Sequence, residues 1–262
     1  MTSQGIIKTE RHGGVAIVTL SNPEKRNAFT PDMRRSLTGT LTELNRTVEV
    51  RAVVLTGEEK HFCAGADVSA MGAGAAPRTT VQIRENTKEV NHLLQAIVTA
   101  PKPYVASVDG DAFGAGMSLA IACDFLVAGP GARFGTAFAK IGLLPDLGML
   151  HYLPLRVGMT AAKRMMMLCE PVLAERAFAL GLADELNSES AMVGARALAE
   201  KLADGSPLAI GYIKSVLADG ISTWQDAMRA ELDIGSALAG TEDFKEGIAA
   251  LREKRPPVYQ GR

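Results

Sequence analysis

Residues 104–150 read YVASVDGDAFGAGMSLAIACDFLVAGPGARFGTAFAKIGLLPDLGML, and this stretch decides the fold of the chain. Tyr104–Val108 is an apolar run between a proline and a glycine, which predicts a buried strand. Gly110, Gly114 and Gly116 follow, and a run of small residues after them predicts a tight turn and then a helix. The first N–H groups of a helix have no partner inside it and lie at its positive end. This turn therefore suits an anion, either a bound phosphate or an oxyanion that forms during a reaction.

A second turn of the same kind lies earlier in the chain. Ala52–Thr56 is another apolar run that predicts a strand, and the sequence HFCAGADV follows it at residues 61–68. Each turn can present a backbone N–H group to the same bound atom. Together the two turns predict an oxyanion hole with two donors.

The composition is that of one large globular domain. The chain has 262 residues, is 47% hydrophobic and carries a net charge of −1. This charge argues against nucleic-acid binding, and because no apolar run reaches about 18 residues we expect no membrane partner. The N-terminus shows no signal-peptide pattern, and Cys63, Cys123 and Cys169 follow no disulfide or zinc spacing. We therefore expect a cytoplasmic protein without a bound metal.

Strands and helices alternate along most of the chain, which predicts an α/β fold with buried strands. Val15–Leu20 is typical of a strand, and Thr30 followed by Pro31 predicts the start of an amphipathic helix over residues 31–48. A long helix is predicted near Thr80–Thr99. Further helices are predicted over residues 160–167, 174–180 and 190–202.

The C-terminal part of the chain has a different pattern. Residues 207–252 contain no strand pattern and predict three helices, whose apolar faces need a partner in this subunit or in a neighbouring one. We therefore divide the chain into a core at residues 1–204 and a helical oligomerisation region at residues 205–262.

Two familiar motifs fit the glycine-rich turn poorly. A dinucleotide-binding G-x-G-x-x-G would need its third glycine at Leu119, and no acidic residue lies about 20 positions further on. A nucleophile elbow centred on Ser118 would need a later histidine, and the last histidine is His151. The acid of the triad would then have to lie between Ser118 and His151, which leaves little room for it. Ser118 is better interpreted as a small residue that permits close helix packing.

Asp146 is the acidic residue best placed for proton transfer. It lies in the segment IGLLPDLG at residues 141–148. A carboxylate among apolar neighbours is poorly solvated, which raises its pKa toward the range useful for proton transfer. The alternative interpretation is that Asp146 caps a helix that begins at Leu147, and both roles can hold together.

Five motifs are spread over essentially the whole chain: NPEKRNAF at residues 22–29, FCAGAD at 62–67, DGxxxGAG at 109–116, ARFG at 132–135 and EGIAALREKRxP at 246–257. Together they resemble the motifs of the crotonase (enoyl-CoA hydratase/isomerase) superfamily. The resemblance implies a crotonase-like spiral of repeated ββα units followed by a C-terminal helical region. It also implies an acyl-CoA substrate and assembly into a homotrimer or hexamer.

The resemblance further implies which residues form the site. In the family, two backbone N–H groups hold the thioester oxygen, and they correspond to those of Ala66 and Ala115. Coenzyme A enters as part of the substrate, and no other cofactor is implied. Lys25 and Arg26 are natural partners for its phosphates, and Lys254 is expected to reach across from a neighbouring subunit. The other residues implied to contact the CoA thioester are Ala28, Ala64, Gly65, Asp67, Val68, Phe113, Gly114 and Phe138.

The chain departs from the hydratase pattern at the catalytic positions. Hydratases of this family use two glutamates, whereas this chain has Ser118 and Phe138 there. Isomerase branches use an acid near Asp146, and residues 137–148 are similar to the 1,2-epoxyphenylacetyl-CoA isomerase branch. We therefore expect an acyl-CoA isomerase that shifts a double bond or rearranges an epoxide, with Asp146 as acid and base. The alternatives are an enoyl-CoA hydratase and a non-catalytic protein that binds acyl-CoA.

Overall fold

The computed structural model describes residues 5–67 and 79–262 of the chain. The strands of these residues are β1 (Ile6–His12), β2 (Val15–Ser21), β3 (Ala52–Gly57), β4 (Tyr104–Val108), β5 (Asp111–Phe113), β6 (Phe125–Ala128), β7 (Arg133–Gly135), β8 (Val172–Leu173) and β9 (Glu185–Leu186). The α-helices are α1 (Pro31–Arg46), α2 (Thr80–Val98), α3 (Ala115–Ala122), α4 (Met149–Leu168), α5 (Ala174–Ala179), α6 (Ala191–Ala203), α7 (Pro207–Asp219), α8 (Trp224–Ala230), α9 (Ser236–Ala239) and α10 (Glu242–Glu253). The fold is α/β, as predicted.

The described strands form two sheets, and from β4 to β7 the chain adds strands to them in turn. The larger sheet has the order β1-β2-β3-β4-β6-β9, and the smaller sheet has the order β5-β7-β8. β4 joins the larger sheet, β5 joins the smaller sheet, and α3 follows. β6, β7 and α4 repeat this order. The strands added to the larger sheet from β3 onward are parallel to their neighbours. The backbone therefore repeats a ββα unit as a spiral, although the sequence carries no fixed period.

The larger sheet is buried on both faces. Successive side chains of a strand point to opposite faces, so β2 contributes Ala16 and Val18 to one core and Val15 to the other. The first core lies under α1, α2 and α3, and the second lies under α6, whose alanines allow close approach to the sheet. Two-sided burial is why these strands read as continuous apolar runs.

Local sequence signals account for the first long helices. The Thr30 hydroxyl accepts a hydrogen bond from the backbone N–H of Met33, and Pro31 occupies the first turn of α1. The predicted helix near Thr80–Thr99 is confirmed as α2, whose N-terminus is closed by a reciprocal capping box between Thr79 and Gln82. The prediction for α1 extended too far, because the helix ends at Arg46.

Four further elements were missed in whole or in part, for identifiable reasons. β1 carries the polar sequence IIKTERH and is mostly exposed, so it joins β2 through backbone pairing without an apolar pattern. The helix predicted at residues 160–167 is confirmed as the part of α4 that follows a non-helical break at Gly158, whereas the part that begins at Met149 and contains Pro154 was not predicted. β8 and β9 contain two residues each, which is too short for a periodic signal.

The C-terminal part is helical, as predicted. α7 is followed by one long segment in which α8 continues through a π-helical turn, Glu231–Gly235, into α9, and α10 follows. Residues after α10 fold back, because the Asp243 carboxylate accepts hydrogen bonds from the backbone N–H groups of Gln260 and Gly261. Among the described residues, no helix combines the length and the apolar character that crossing a membrane requires.

A buried ion pair fastens α7 to the core. The Lys214 Nζ lies 2.7 Å from the Asp124 Oδ2, donates to the backbone oxygen of Lys102 and sits 4.8 Å from the centre of the Tyr104 ring. Asp124 also accepts from the backbone N–H of Tyr104 at the start of β4. Burial lowers the pKa of Lys214, and the carboxylate of Asp124 opposes that change. The Asp124 carboxylate therefore joins α7 to the start of β4.

Replacing Asp124 should destabilise the fold strongly. Asp124→Asn leaves the buried ammonium of Lys214 without its counter-charge, and we expect the free energy of unfolding in urea to fall by about 3 kcal/mol. The matched control is Arg164→Gln, which removes an exposed pair with Glu170 and should change stability by less than about 0.5 kcal/mol. Equal effects of the two substitutions would contradict this account of α7.

Candidate active site

The two glycine-rich turns are joined by a short parallel bridge. The backbone N–H of Cys63 donates to the oxygen of Asp111 at 2.9 Å, and the N–H of Phe113 donates to the oxygen of Cys63 at 2.9 Å. Residues 63–67 and 111–116 therefore run side by side. The prediction that two separate turns meet at one place is confirmed.

Two glycines allow this approach. A Cβ atom on Gly116 would lie 2.2 Å from the carbonyl oxygen of Cys63, which backbone atoms cannot tolerate. Gly65 has a φ of +100°, and a Cβ atom there would lie 2.9 Å from the oxygen of Phe113 and 3.5 Å from the nitrogen of Ala115. The Ala115 amide is thus in contact with the turn that carries Ala66.

The backbone N–H groups of Ala66 and Ala115 donate to none of the described residues. Phe29 pairs with the residues on either side of Ala66, since its N–H donates to the oxygen of Gly65 and its oxygen accepts from Asp67. Ala115 is the first residue of α3, where an N–H has no partner within the helix. Two unused backbone donors from adjacent turns can together hold an oxygen that gains negative charge.

A buried amide side chain fixes the loop that precedes α1. The Asn27 Nδ2 donates to the backbone oxygens of Glu58 and His61, and its Oδ1 accepts from the N–H of Asn22. Asn27 is fully buried and has a positive φ, which asparagine tolerates better than most residues. The sequence singled out this asparagine as part of a motif, and the structure shows what it does. It ties residues 22–29 to the turn after β3.

Lys25 and Arg26 both lie beside the site and both contact carboxylates. The Lys25 Nζ is 2.7 Å from the Asp67 Oδ2, and the Arg26 Nη1 is 3.2 Å from the Asp111 Oδ2. The backbone N–H of Ala64 donates to the oxygen of Arg26, and the N–H of Ala28 donates to the oxygen of Lys25. Lys25 and Arg26 are therefore each held by an ion pair to one of the two turns. The sequence did not suggest these ion pairs.

The side chains at the two glutamate positions are apolar or internally bonded. Ser118 is fully buried in α3, and its hydroxyl donates to the backbone oxygen of Gly114 at 3.2 Å. Phe138 is buried with its ring tip 4.0 Å from where a Cβ on Gly114 would lie, and the Phe113 ring packs against Gly135. The packing role expected of Ser118 is confirmed, and the two phenylalanines form apolar walls near the turn.

Asp146 presents a buried carboxylate oxygen without a partner. Its Oδ1 is shielded from solvent and makes no hydrogen bond among the described residues. Burial raises the pKa of the Asp146 carboxyl, outweighing the opposite effects of its own backbone N–H and of the Arg34 guanidinium. The interpretation of Asp146 as a side-chain cap is wrong, because α4 begins at Met149 with Gly148 as its N-cap and has no side-chain capping bond.

Arg34 is a neighbour of Asp146 that the sequence did not reveal. Its Nη2 donates to Asn86 and to Glu89 on α2 at 2.8 Å each, so it links α1 to α2. The Arg34 guanidinium favours the ionised form of Asp146. Leu94 of α2 packs beside the segment before α4, because a Cβ atom on Gly148 would lie 3.0 Å from the Leu94 Cδ2.

The predicted roles of two further site residues are not tested by the described structure. Val68 lies outside the described residues. Lys254 ends α10 in a left-handed conformation, and its predicted reach into a neighbouring subunit stays a prediction, because the structure contains one chain.

Comparison with known proteins places the whole chain in one group. A sequence model described as "Enoyl-CoA hydratase/isomerase" matches residues 10–262. The "Probable enoyl-CoA hydratase" of Rhodobacter capsulatus is 39% identical over 260 residues, which cover 98% of each protein. The 1,2-epoxyphenylacetyl-CoA isomerase of Escherichia coli K12 is 30% identical, with 95% of this chain and 96% of that protein covered. The crystal structure of an enoyl-CoA hydratase from Polaromonas sp. JS666 has a TM-score of 0.92 at 35% identity, and the match covers 97% of this chain and 100% of that one.

The environment of Asp146 should reduce stability at neutral pH. Its pKa is raised in the folded state, so ionisation at pH 7 disfavours folding, whereas below the unfolded-state pKa, about 3.9, both states carry the proton. We expect Asp146→Asn to raise the free energy of unfolding at pH 7, with a gain that shrinks toward about pH 4. Urea denaturation at several pH values measures this.

The control for this measurement is Asp219→Asn, an exposed carboxylate at the end of α7. It should leave stability unchanged across the same pH range. A loss of stability in Asp146→Asn at pH 7 would mean that the carboxylate makes a favourable interaction, contrary to the geometry described above.

Proposed function

The chain belongs to the enoyl-CoA hydratase/isomerase family, and within that family we propose that it is an acyl-CoA isomerase with Asp146 as its acid and base. The observation that carries the proposal is the buried Oδ1 of Asp146, which has no hydrogen-bond partner among the described residues, combined with Ser118 and Phe138 at the glutamate positions. The reaction is a shift of a carbon–carbon double bond, or the rearrangement of an epoxide, through a thioester enolate.

The unused N–H groups of Ala66 and Ala115 support the binding of the thioester oxygen. Removing a proton next to a thioester forms an enolate, and its negative charge collects on that oxygen. Fixed backbone donors stabilise this charge more than they stabilise the neutral thioester, by roughly 3 kcal/mol for each donor in comparable oxyanion holes. Because Gly65 and Gly116 hold the two turns together, the donors do not need to reorganise during the reaction.

The Asp146 carboxylate supplies the proton transfers in this proposal. A base must be ionised to accept a proton and must then hold it long enough to return it to another carbon. Burial without a hydrogen-bond partner raises the pKa of Asp146, which strengthens it as a base, and the Arg34 guanidinium favours its ionised form. One carboxylate suffices for an isomerisation, since the same proton leaves one carbon and returns two carbons away.

The CoA moiety is assigned to the surface beside the two turns. Lys25 and Arg26 provide positive charge there, and Ala28 with residues 64–67 forms the adjoining backbone. A guanidinium has five N–H donors, so Arg26 can bind a phosphate while it contacts Asp111. Phe113 and Phe138 are the apolar walls for the acyl part, and Lys254 is proposed to contact the CoA of a neighbouring subunit.

Hydration is the second candidate, favoured by the name of the Rhodobacter capsulatus relative. Adding water requires a group that activates the water and a group that protonates carbon. Of positions 118, 138 and 146 in the described part of this site, Asp146 is the one that carries a carboxylate. A hydratase would therefore need to use Asp146 for both tasks.

Asp146→Asn should abolish turnover while binding survives. The amide keeps the shape of the carboxyl but cannot accept the proton, so we expect kcat with 3-hexenoyl-CoA to fall at least ~10²-fold. The dissociation constant for hexanoyl-CoA should stay within a few-fold, because the backbone donors are unchanged. Ser118→Ala is the matched control and should retain activity, since its hydroxyl bonds within α3.

The product distinguishes isomerase from hydratase. In deuterium oxide, wild-type protein should exchange the C2 or C4 protons of 3-hexenoyl-CoA and form the 2-enoyl isomer without adding water. Efficient formation of 3-hydroxyacyl-CoA from 2-hexenoyl-CoA by Asp146→Asn would overturn the proposed mechanism. Absence of any turnover in wild type would favour a binding protein.

The exposed apolar face of the C-terminal helices should mediate assembly. Ile213 and Leu217 on α7 are more than half exposed, and they line an apolar groove together with Ile234 and Leu238. We expect a trimer or hexamer by light scattering at micromolar concentration, and a lower mass for Ile213→Asp with Leu217→Asp. A monomeric wild type would refute this and would weaken the assignment of Lys254.

A further inference from the structure

A buried carboxylate lies directly beside the two turns and is not explained by the proton transfer. The Asp111 side chain is 5% exposed and stands at the start of β5, four residues before Ala115. Arg26, Arg133 and His61 surround it, with the Arg26 Nη1 at 3.2 Å from Oδ2 and the Arg133 Nε at 3.5 Å from Oδ1. Such a carboxylate is retained at a cost in solvation, so its partners must stabilise it.

The three neighbours contribute differently. His61 accepts a hydrogen bond at Nδ1 from the backbone N–H of Asp111, so this nitrogen carries no proton to offer the carboxylate. Arg133 is close but makes no hydrogen bond to Asp111 within the described structure, and its guanidinium lies 5.8 Å from the centre of the Phe113 ring. Arg26 is the cation that donates a hydrogen bond to Asp111 in the described structure.

Arg26 connects both turns through different atoms. Its backbone oxygen accepts from the N–H of Ala64, two residues before Ala66, while its side chain donates to Asp111. The backbone oxygen of Asp111 in turn accepts from the N–H of Cys63. The positive φ of Arg26 lets one residue reach both segments. These contacts form a closed loop: Arg26 contacts Asp111, Asp111 contacts Cys63, and Ala64, the next residue after Cys63, contacts Arg26.

We propose that Arg26 and Asp111 are positioning residues that hold the N–H groups of Ala66 and Ala115 at the spacing needed for one oxygen. The inference rests on the proposed function, because it takes these two N–H groups as the thioester site. Arg26 influences the thioester carbonyl of the substrate indirectly, through the backbone of the two turns. This role is separate from any contact between Arg26 and the phosphates of coenzyme A. Small displacements of positioned donors weaken stabilisation of the enolate strongly, so the pair influences the reaction without touching the reacting atoms.

The two roles of Arg26 make opposite predictions for a shortened substrate. A pantetheine thioester lacks the phosphates of coenzyme A. If Arg26 only binds those phosphates, replacing Arg26 should not affect a bound pantetheine thioester. A positioning role depends on the carbonyl alone and persists in the pantetheine thioester. Substrate truncation therefore separates the roles within one variant.

The experiment uses Arg26→Gln, Asp111→Asn and the double variant, with hexanoyl-CoA and hexanoyl-pantetheine labelled with carbon-13 at the carbonyl. Isotope-edited infrared spectroscopy measures the carbonyl stretch of the bound thioester, which hydrogen bonds lower in frequency. Each single variant should lose at least half of the wild-type shift with both thioesters, and the double variant should lose no more than either single variant. With 3-hexenoyl-pantetheine, kcat should fall about tenfold or more.

Controls exclude general damage to the fold. Arg164→Gln removes an arginine of similar exposure from a remote ion pair and should leave the carbonyl shift unchanged. Arg26→Gln alters an exposed side chain, so it keeps the inference testable if Asp111→Asn does not fold, and circular dichroism checks both.

The outcomes separate the inference from the proposed function. A shift in wild type that Arg26→Gln and Asp111→Asn leave intact overturns the positioning role while the thioester site stands. A shift lost with the CoA thioester but kept with the pantetheine thioester assigns Arg26 to the phosphates and likewise overturns it. No shift in wild type removes the thioester site, and the inference with it.

Discussion

The short parallel pairing between Cys63 and residues 111–113 is the contact on which the site depends. It brings two segments about 50 residues apart in sequence into register, and each then contributes a backbone N–H that donates to no group in residues 5–67 and 79–262. The pairing requires Gly116 and Gly65, since a side chain at either position would collide with a carbonyl oxygen. In the proposed function, backbone geometry, and not a set of reactive side chains, therefore defines where the thioester oxygen binds.

The chemistry of Asp146 follows from what its surroundings lack. A carboxylate with several donors is stable and a poor base, whereas the Oδ1 of Asp146 is buried without any among the described residues. Arg34 is near enough to influence the charge but is itself engaged by Asn86 and Glu89. The raised pKa of Asp146 disfavours the folded state at neutral pH, a cost in stability that the proposed role in proton transfer would explain.

Periodicity and capping signals predicted the elements that are buried or strongly capped, and they failed elsewhere. α1, α2 and β4 could be predicted because Thr30, the face of α2 and the apolar run of β4 are local features of the sequence. β1 could not, because an exposed edge strand depends on its neighbour. The partners of Lys25 and Arg26 were hidden for the same reason, since Asp67 and Asp111 become neighbours through folding. The family motifs located the turns but not the ionic contacts between them.

The order of strands in the larger sheet has a consequence for how the protein avoids aggregation. The described part of the larger sheet ends on one side with β1, whose sequence includes Lys8, Glu10 and Arg11, and on the other with β9, which has two residues. Charged residues and extreme shortness of an edge strand both disfavour the addition of a foreign strand to a sheet. Both outer strands of the described sheet are therefore poor templates for pairing with another molecule.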